Sequence, residues 1–131
     1  MSYQKLVIVG NLGSDPEMRH TQSGQAVTNF SVATNRKWTD NAGQTHEEVS
    51  WFRVAAWGKL AEVCSQYLAK GRQVLVEGRL TADENGGPKV WQAQDGSYRA
   101  SFEVTAFEVR FLGSNGASRE NTALTEDEVP F

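Results

Sequence analysis

Cysteine is almost missing from this chain of 131 residues: Cys64 stands alone. One thiol excludes an intrachain disulfide and gives no sign of an oxidising compartment. Long apolar runs are missing too, and the N-terminus lacks the basic-then-apolar order of a signal peptide, so a soluble cytoplasmic protein with no membrane partner is expected. Catalytic constellations are equally scarce. No Ser, Cys or Thr carries a recognisable His partner signature, no glycine loop precedes a helix as a phosphate cradle, and no acidic pair clusters at strand ends. The chain is therefore expected not to be an enzyme and to use no cofactor. His20 and His46 are isolated from other ligand types, which argues against a metal.

Net positive charge is lacking as well. The formal charge is −3, which at face value disfavours a polyanion as partner. Its distribution alters that conclusion. Glu120, Glu126, Asp127 and Glu128 against Arg119 carry the whole excess, leaving residues 1–112 balanced. A neutral body still binds phosphates if its cations gather on one side.

What the chain does have is tryptophan: four residues, in a domain too small to waste large apolar side chains on its surface. The stretch from Ser50 to Trp57 reads SWFRVAAW. Residues two apart on a strand share a face, so Trp51, Arg53, Ala55 and Trp57 line one surface while Phe52, Val54 and Ala56 line the other. A Trp taken singly is more often core than site. Both faces cannot be core in an isolated barrel, however, so the indole face needs a partner, either a flat anionic ligand or another subunit.

Taken in order, Lys5 to Val9 is a β-branched run, and Gly10, Asn11 and Gly13 to Pro16 read as the turn that closes it. A second strand covers Ala26 to Asn35. The polar segment Arg36 to Gln44 reads as a hairpin loop with Trp38 at its base. The third strand spans Glu47 to Trp57. From Lys59 the period becomes helical, with Leu60, Val63, Cys64, Tyr67 and Leu68 on one face and Lys70 and Gly71 as the basic last turn and C′ glycine. Cys64 is expected to be a buried small hydrophobe. Gln73 to Leu80 forms the fourth strand, Asp83 to Pro88 a loop, and Tyr98 to Phe111 the fifth strand.

Five strands with one helix between the third and fourth is the order of an OB-fold, an all-β barrel whose exposed sheet and loops bind oligonucleotides or oligosaccharides. Residues 1–112 form this domain. Residues 113–125 read as a disordered linker, rich in Gly, Ser, Asn and Ala with no apolar period. The tip is different: Glu126, Asp127 and Glu128 precede Val129, Pro130 and Phe131. Apolar ends on mobile tails are usually captured by something.

Three functions fit these features. A sequence-tolerant single-strand binder uses the indoles as stacking platforms and Arg53 for phosphate. An oligosaccharide module stacks Trp on sugar rings but has no use for Arg53. A structural subunit buries Trp51 and Trp57 at a protein interface in every state.

Three strings together resemble the bacterial single-stranded DNA-binding proteins: VGNLGSDPEMR, WGKLAEVCSQYLAKG, and the acidic terminus ending Val-Pro-Phe. The likeness covers essentially the whole chain. It implies an OB-fold that assembles as a homotetramer, wraps single-stranded DNA in replication, recombination and repair, and recruits partner enzymes through its tip. It also implies a nucleoid-associated location in the cytoplasm. Carried over by position, the resemblance gives Trp38, Trp51, Trp57 and Trp91 as stacking aromatics. It gives Lys5, Arg19, Arg53, Lys59 and Lys70 as DNA-binding cations, and 126–131 as the partner-binding segment. Trp57 stands where Phe is more usual, which keeps a π-face, and Phe52 replaces an often polar position near subunit contacts.

Overall fold

A computed structural model of the chain describes residues 1–112, so the expected linker and acidic tip lie outside the described residues. Five long strands, β1 (Leu6–Leu12), β3 (Ala26–Thr39), β4 (Thr45–Trp57), β5 (Gln73–Leu80) and β7 (Tyr98–Leu112), form the wall of a barrel. They follow the order β1-β5-β7-β4-β3, and β3 returns to β1 through Asn11↔Ala33 and Leu12↔Val32 to close it. β4 and β7 run parallel, whereas β1–β5, β5–β7 and β3–β4 are antiparallel. Among the described residues a single helix, α1 (Lys59–Tyr67), joins β4 to β5. This is the OB-fold that the order of elements predicts.

Closure depends on two glycines. A Cβ on Gly10 would lie 2.2 Å from the Ala33 carbonyl oxygen, and one on Gly78 2.2 Å from that of Thr105. Just past Gly10 the first strand, still paired with β5 through Asn11, also meets β3; at Gly78 the β5–β7 register slips by a bulge. Bare backbone permits both close approaches, and bulges bend the strands as closure requires.

Alternation then fills the interior. Ile8, Leu12, Phe30, Val32, Val54, Val74, Val76, Val104, Val109 and Phe111 form the core, and Cys64 and Leu68 close it at the helix end. Thr28 Oγ1 donates to the Ala61 carbonyl at 2.6 Å inside this seam, and the Gly58 amide donates to Ala26, so α1 is tied at its first turn. Burial pushes the Cys64 thiol up to about 12, which leaves it a protonated apolar filler at neutral pH.

Several boundaries differ from the sequence expectation. The first strand runs through Gly10 and Asn11 to Leu12, because glycine there bends the strand instead of ending it. The segment Arg36 to Thr39 is strand, and the hairpin turn is confined to 40–44. The helix stops at Tyr67, with Leu68 already extended, so Lys70 is not in its last turn and Gly71 is not its C′ residue. Competing partners explain the early stop. Asp15 Oδ1 accepts the Lys70 amide at 2.9 Å, and Leu12 C=O accepts the Gly71 amide at 2.9 Å. Tyr67, expected on the core face, is exposed, its ring tilted against Phe111.

Two short strands have no buried face at all. β2 (Glu17–His20) pairs with the start of β3, and β6 (Lys89–Gln92) with the start of β7. Every residue in both is exposed. Their ladders are imposed by a neighbouring strand that offers unpaired amides and carbonyls, which local periodicity does not report.

Candidate nucleic-acid interface

The register assembles one outward face from five strands. Arg19 of β2 opposes Val27 of β3, which opposes Trp57 of β4; Ser31 opposes Arg53, and Ala33 opposes Trp51. Across the parallel pairing Arg53 meets Glu103, and from β6 Lys89 meets Ser101 while Trp91 meets Arg99. Partners in register share a face, so Arg19, Trp57, Arg53, Trp51, Lys89, Trp91 and Arg99 all project from the same side of the sheet.

All four indoles are open to solvent, at 38% exposure for Trp38, 52% for Trp51, 41% for Trp57 and 42% for Trp91. Their opposite neighbours on β4 behave as parity requires: Val54 and Ala56 are buried and Phe52 is half-buried. Large open rings beside a filled core make a surface that is costly in water and favourable once covered.

Of the grooves in this face, two meet at Arg53. A cavity of about 600 Å³ is lined by Arg19, Arg53, Trp57 and Lys89 together with Asp15, Glu17 and Glu103. A second, of about 460 Å³, lies where β4 and β7 part, between Trp51, Arg53 and Phe102. Arg53 borders both. The charges are mixed, and several are already engaged: Lys89 Nζ is 3.7 Å from Glu103, and Asp15 holds the Lys70 amide. Ion pairs this exposed contribute little and exchange readily for a stronger anion.

Not every expected residue joins the face. Trp38 has the opposite parity to Trp51 and Trp57 on the β3–β4 ribbon, beyond the barrel. It stacks on His46, centroids 5.2 Å apart at 20°, under the Arg36 guanidinium 4.4 Å from its ring. His46 Nε2 in turn lies 2.7 Å from Asp40 Oδ2. Lys5 leads into β1, away from β4, and its ammonium is 3.5 Å from Glu77. Lys59 opens α1 two residues beyond Trp57, and exposed Lys70 lies at the Asp15 edge of the larger groove.

Other residues on or beside this surface escaped the sequence reading. Lys89 and Arg99 flank Trp91 in space because β6 and β7 form a hairpin, closed by an Ala93–Ser97 turn. Asp95 organises that turn: the Ser97 hydroxyl and amide both donate to Oδ1, and these bonds hold its pKa below the usual carboxylate value. Phe102 stacks on Phe52 at 5.5 Å and remains largely exposed. Tyr98 and Phe102, aromatic and of one parity on β7, were the available signal for Phe102.

The two strings near the start and around the helix also meet. Asn11 Nδ2 donates to the Gly71 carbonyl, the Leu12 amide to that of Arg72, and Asp15 caps Lys70. One string thus docks the other.

A small barrel with an open sheet face of flat rings set between cations belongs to the OB-fold class that holds extended polymers along its surface. The family can be stated as well. A model described as the single-strand binding protein family matches residues 3–112, and the chain belongs to that family. It is 42% identical to single-stranded DNA-binding protein 1 of Chlorobaculum tepidum, over 97% of this chain and 76% of that one. It is 41% identical to the single-stranded DNA-binding protein of Neisseria meningitidis, over 86% of this chain and 62% of that protein. Among solved structures, the Plasmodium falciparum SSB complex with ssDNA superposes with a TM-score of 0.71 at 25% identity, covering 86% of this chain and 97% of that one. The single-stranded DNA binding protein of Thermus aquaticus, as a deletion mutant, gives 0.66 at 30% identity, covering 86% of this chain and 51% of that one.

Proposed function

We propose that this protein binds and protects single-stranded DNA without reading its sequence, serving replication, recombination and repair. The observation that carries this reading is the shared face of Trp51, Trp57 and Trp91 with Arg19, Arg53 and Lys89, all open to solvent. Any base has a π-face, so aromatic rings grip a strand whatever its letters, each stack contributing on the order of 1–3 kcal/mol. Paired bases hide those faces, which excludes duplex. The cations neutralise phosphates and release counterions, making affinity fall with salt. Trp38, Lys5, Lys59 and Lys70 complete the proposed path as the strand leaves this face.

Oligo-dT should strongly quench tryptophan fluorescence at low salt and lose that effect as salt rises. An unchanged signal at low salt sinks the reading. Salt-insensitive binding of a neutral glycan would instead make this an oligosaccharide module.

The reading extends to assembly and partners. Val7 and Val9 are half-exposed and adjoin the Lys5–Glu77 pair on the outer wall. Such a row suits a second copy, and a homotetramer is the assembly proposed. The tip, Glu126 to Phe131, is proposed to enter a basic pocket on replication and repair proteins, held by charge-assisted bonds to its carboxylates. Deleting 129–131 should abolish partner binding and leave DNA affinity intact; partner affinities that survive the deletion would remove that role.

A further inference from the structure

Gly13 is glycine for a reason its backbone does not supply. Its φ is not among the positive values found at Gly24, Gly43, Gly58, Gly71, Gly86 and Gly96, so any L-residue could adopt this conformation. Its amide makes an ordinary bond to the Ser31 carbonyl at 3.0 Å, continuing the local ladder. The obstacle is a side chain from elsewhere. A Cβ on Gly13 would fall 2.4 Å from Cζ3 and 2.7 Å from Cη2 of Trp51, well inside any real carbon–carbon contact.

Those two atoms are the far edge of the indole. The ring is therefore braced at its benzo edge on bare backbone while half of its surface stays in solvent. An exposed tryptophan on a strand ordinarily samples several rotamers and must freeze one when a base stacks on it, which weakens binding. We infer that Gly13 is a positioning residue for single-strand binding: by omitting a side chain it lets Trp51 rest in the orientation a base needs. This inference rests on the proposed stacking role of Trp51 and adds to it a cause for the ring's pose. Gly13 touches no ligand itself, and its influence runs through the indole.

The test is a double-mutant cycle on the full chain, read by oligo-dT affinity at fixed salt alongside thermal melting. Gly13→Ala should keep the melting temperature and weaken binding by about three- to ten-fold, the effect of holding a side chain off its preferred rotamer. Trp51→Phe shortens the ring so that it no longer reaches the added Cβ, and in that background Gly13→Ala should change affinity by less than about two-fold, the coupling expected of groups in contact. Equal losses in both backgrounds, or no loss with Trp51 in place, overturn the positioning role. If Trp51→Ala itself leaves affinity unchanged, the stacking reading beneath it fails as well. Should Gly13→Ala not fold, folding of the pair Gly13→Ala/Trp51→Phe would place the clash at the indole, and failure of both would assign the glycine to the backbone and end the inference.

Discussion

At the scale of single residues, the proposed interface divides its labour between rings and cations. Trp57→Ala should cost about 1–3 kcal/mol of oligo-dT affinity with little change in salt dependence, because a stack releases no counterion. Arg53→Ala should do the reverse, reducing the slope of log affinity against log salt by about 0.7 for the one phosphate it serves. Titration of binding at several salt concentrations separates the two, and matched slopes for both variants would contradict the assignment. Arg53 borders both grooves, so its loss should be felt along the whole strand.

A different residue controls the hairpin tip. Asp40 accepts from the His46 ring and from the Ala42 and Gln44 amides, and chiefly the His46 bond, then the Gln44 amide, holds its pKa below the ordinary 3.8. A carboxylate with a lowered folded-state pKa contributes fully above its ordinary value, and the contribution disappears as pH falls through the lowered one. The Asp40-linked shift of the Ala42 and Gln44 amide resonances should therefore have its midpoint below pH 3.8. A midpoint above 3.8 would show that the carboxylate is not so held.

At the scale of elements, α1 is positioned more by its ties than by its own sequence. No side chain caps its N-terminus, its cap residue Gly58 has φ 65°, and it is nine residues long. A helix that short is marginal alone and depends on packing. Thr28, buried on β3, supplies the tie by donating to Ala61. Thr28→Val keeps the shape and removes the bond, so urea unfolding should show a loss of about 1 kcal/mol with oligo-dT affinity unchanged. The β6–β7 hairpin is an opposite case. Its β6 strand and the start of β7 add nothing to the core, and they carry Lys89, Trp91 and Arg99 to the candidate binding face.

At the scale of the whole molecule, the barrel has an outer wall to spare. Val7 and Val9 project from β1 beside Glu77, whose pKa is lowered first by a hydrogen bond shared with Glu108 and then by Lys5. Charged groups arranged around half-exposed valines give a patch both apolar and register-specific. If this patch joins the proposed subunits, Val7→Glu should lower the solution mass measured by light scattering, and the melting temperature should no longer depend on protein concentration once they have separated. An unchanged mass would remove this patch as the proposed subunit interface.

Much of this was legible in the letters alone. Alternation in SWFRVAAW assigned Val54 and Ala56 to the core and left Trp51 and Trp57 outside, because a strand's period of two is a local property of the backbone. The helix was legible from spacing, and the barrel from the order of elements. What depended on tertiary structure lies where distant segments meet. The helix ends at Tyr67 because Asp15 and Leu12, far away in the chain, take the Lys70 and Gly71 amides that would continue it. β2 and β6 are strands because β3 and β7 pass beside them, and Lys89 and Arg99 reach Trp91 only through that pairing. Gly13 is the clearest instance. Its neighbours in sequence suggest a turn, and only the fold brings the indole of Trp51 against it. Periodicity records what a residue does with its own backbone, whereas a clash avoided or a hydrogen bond borrowed belongs to two places in the chain at once.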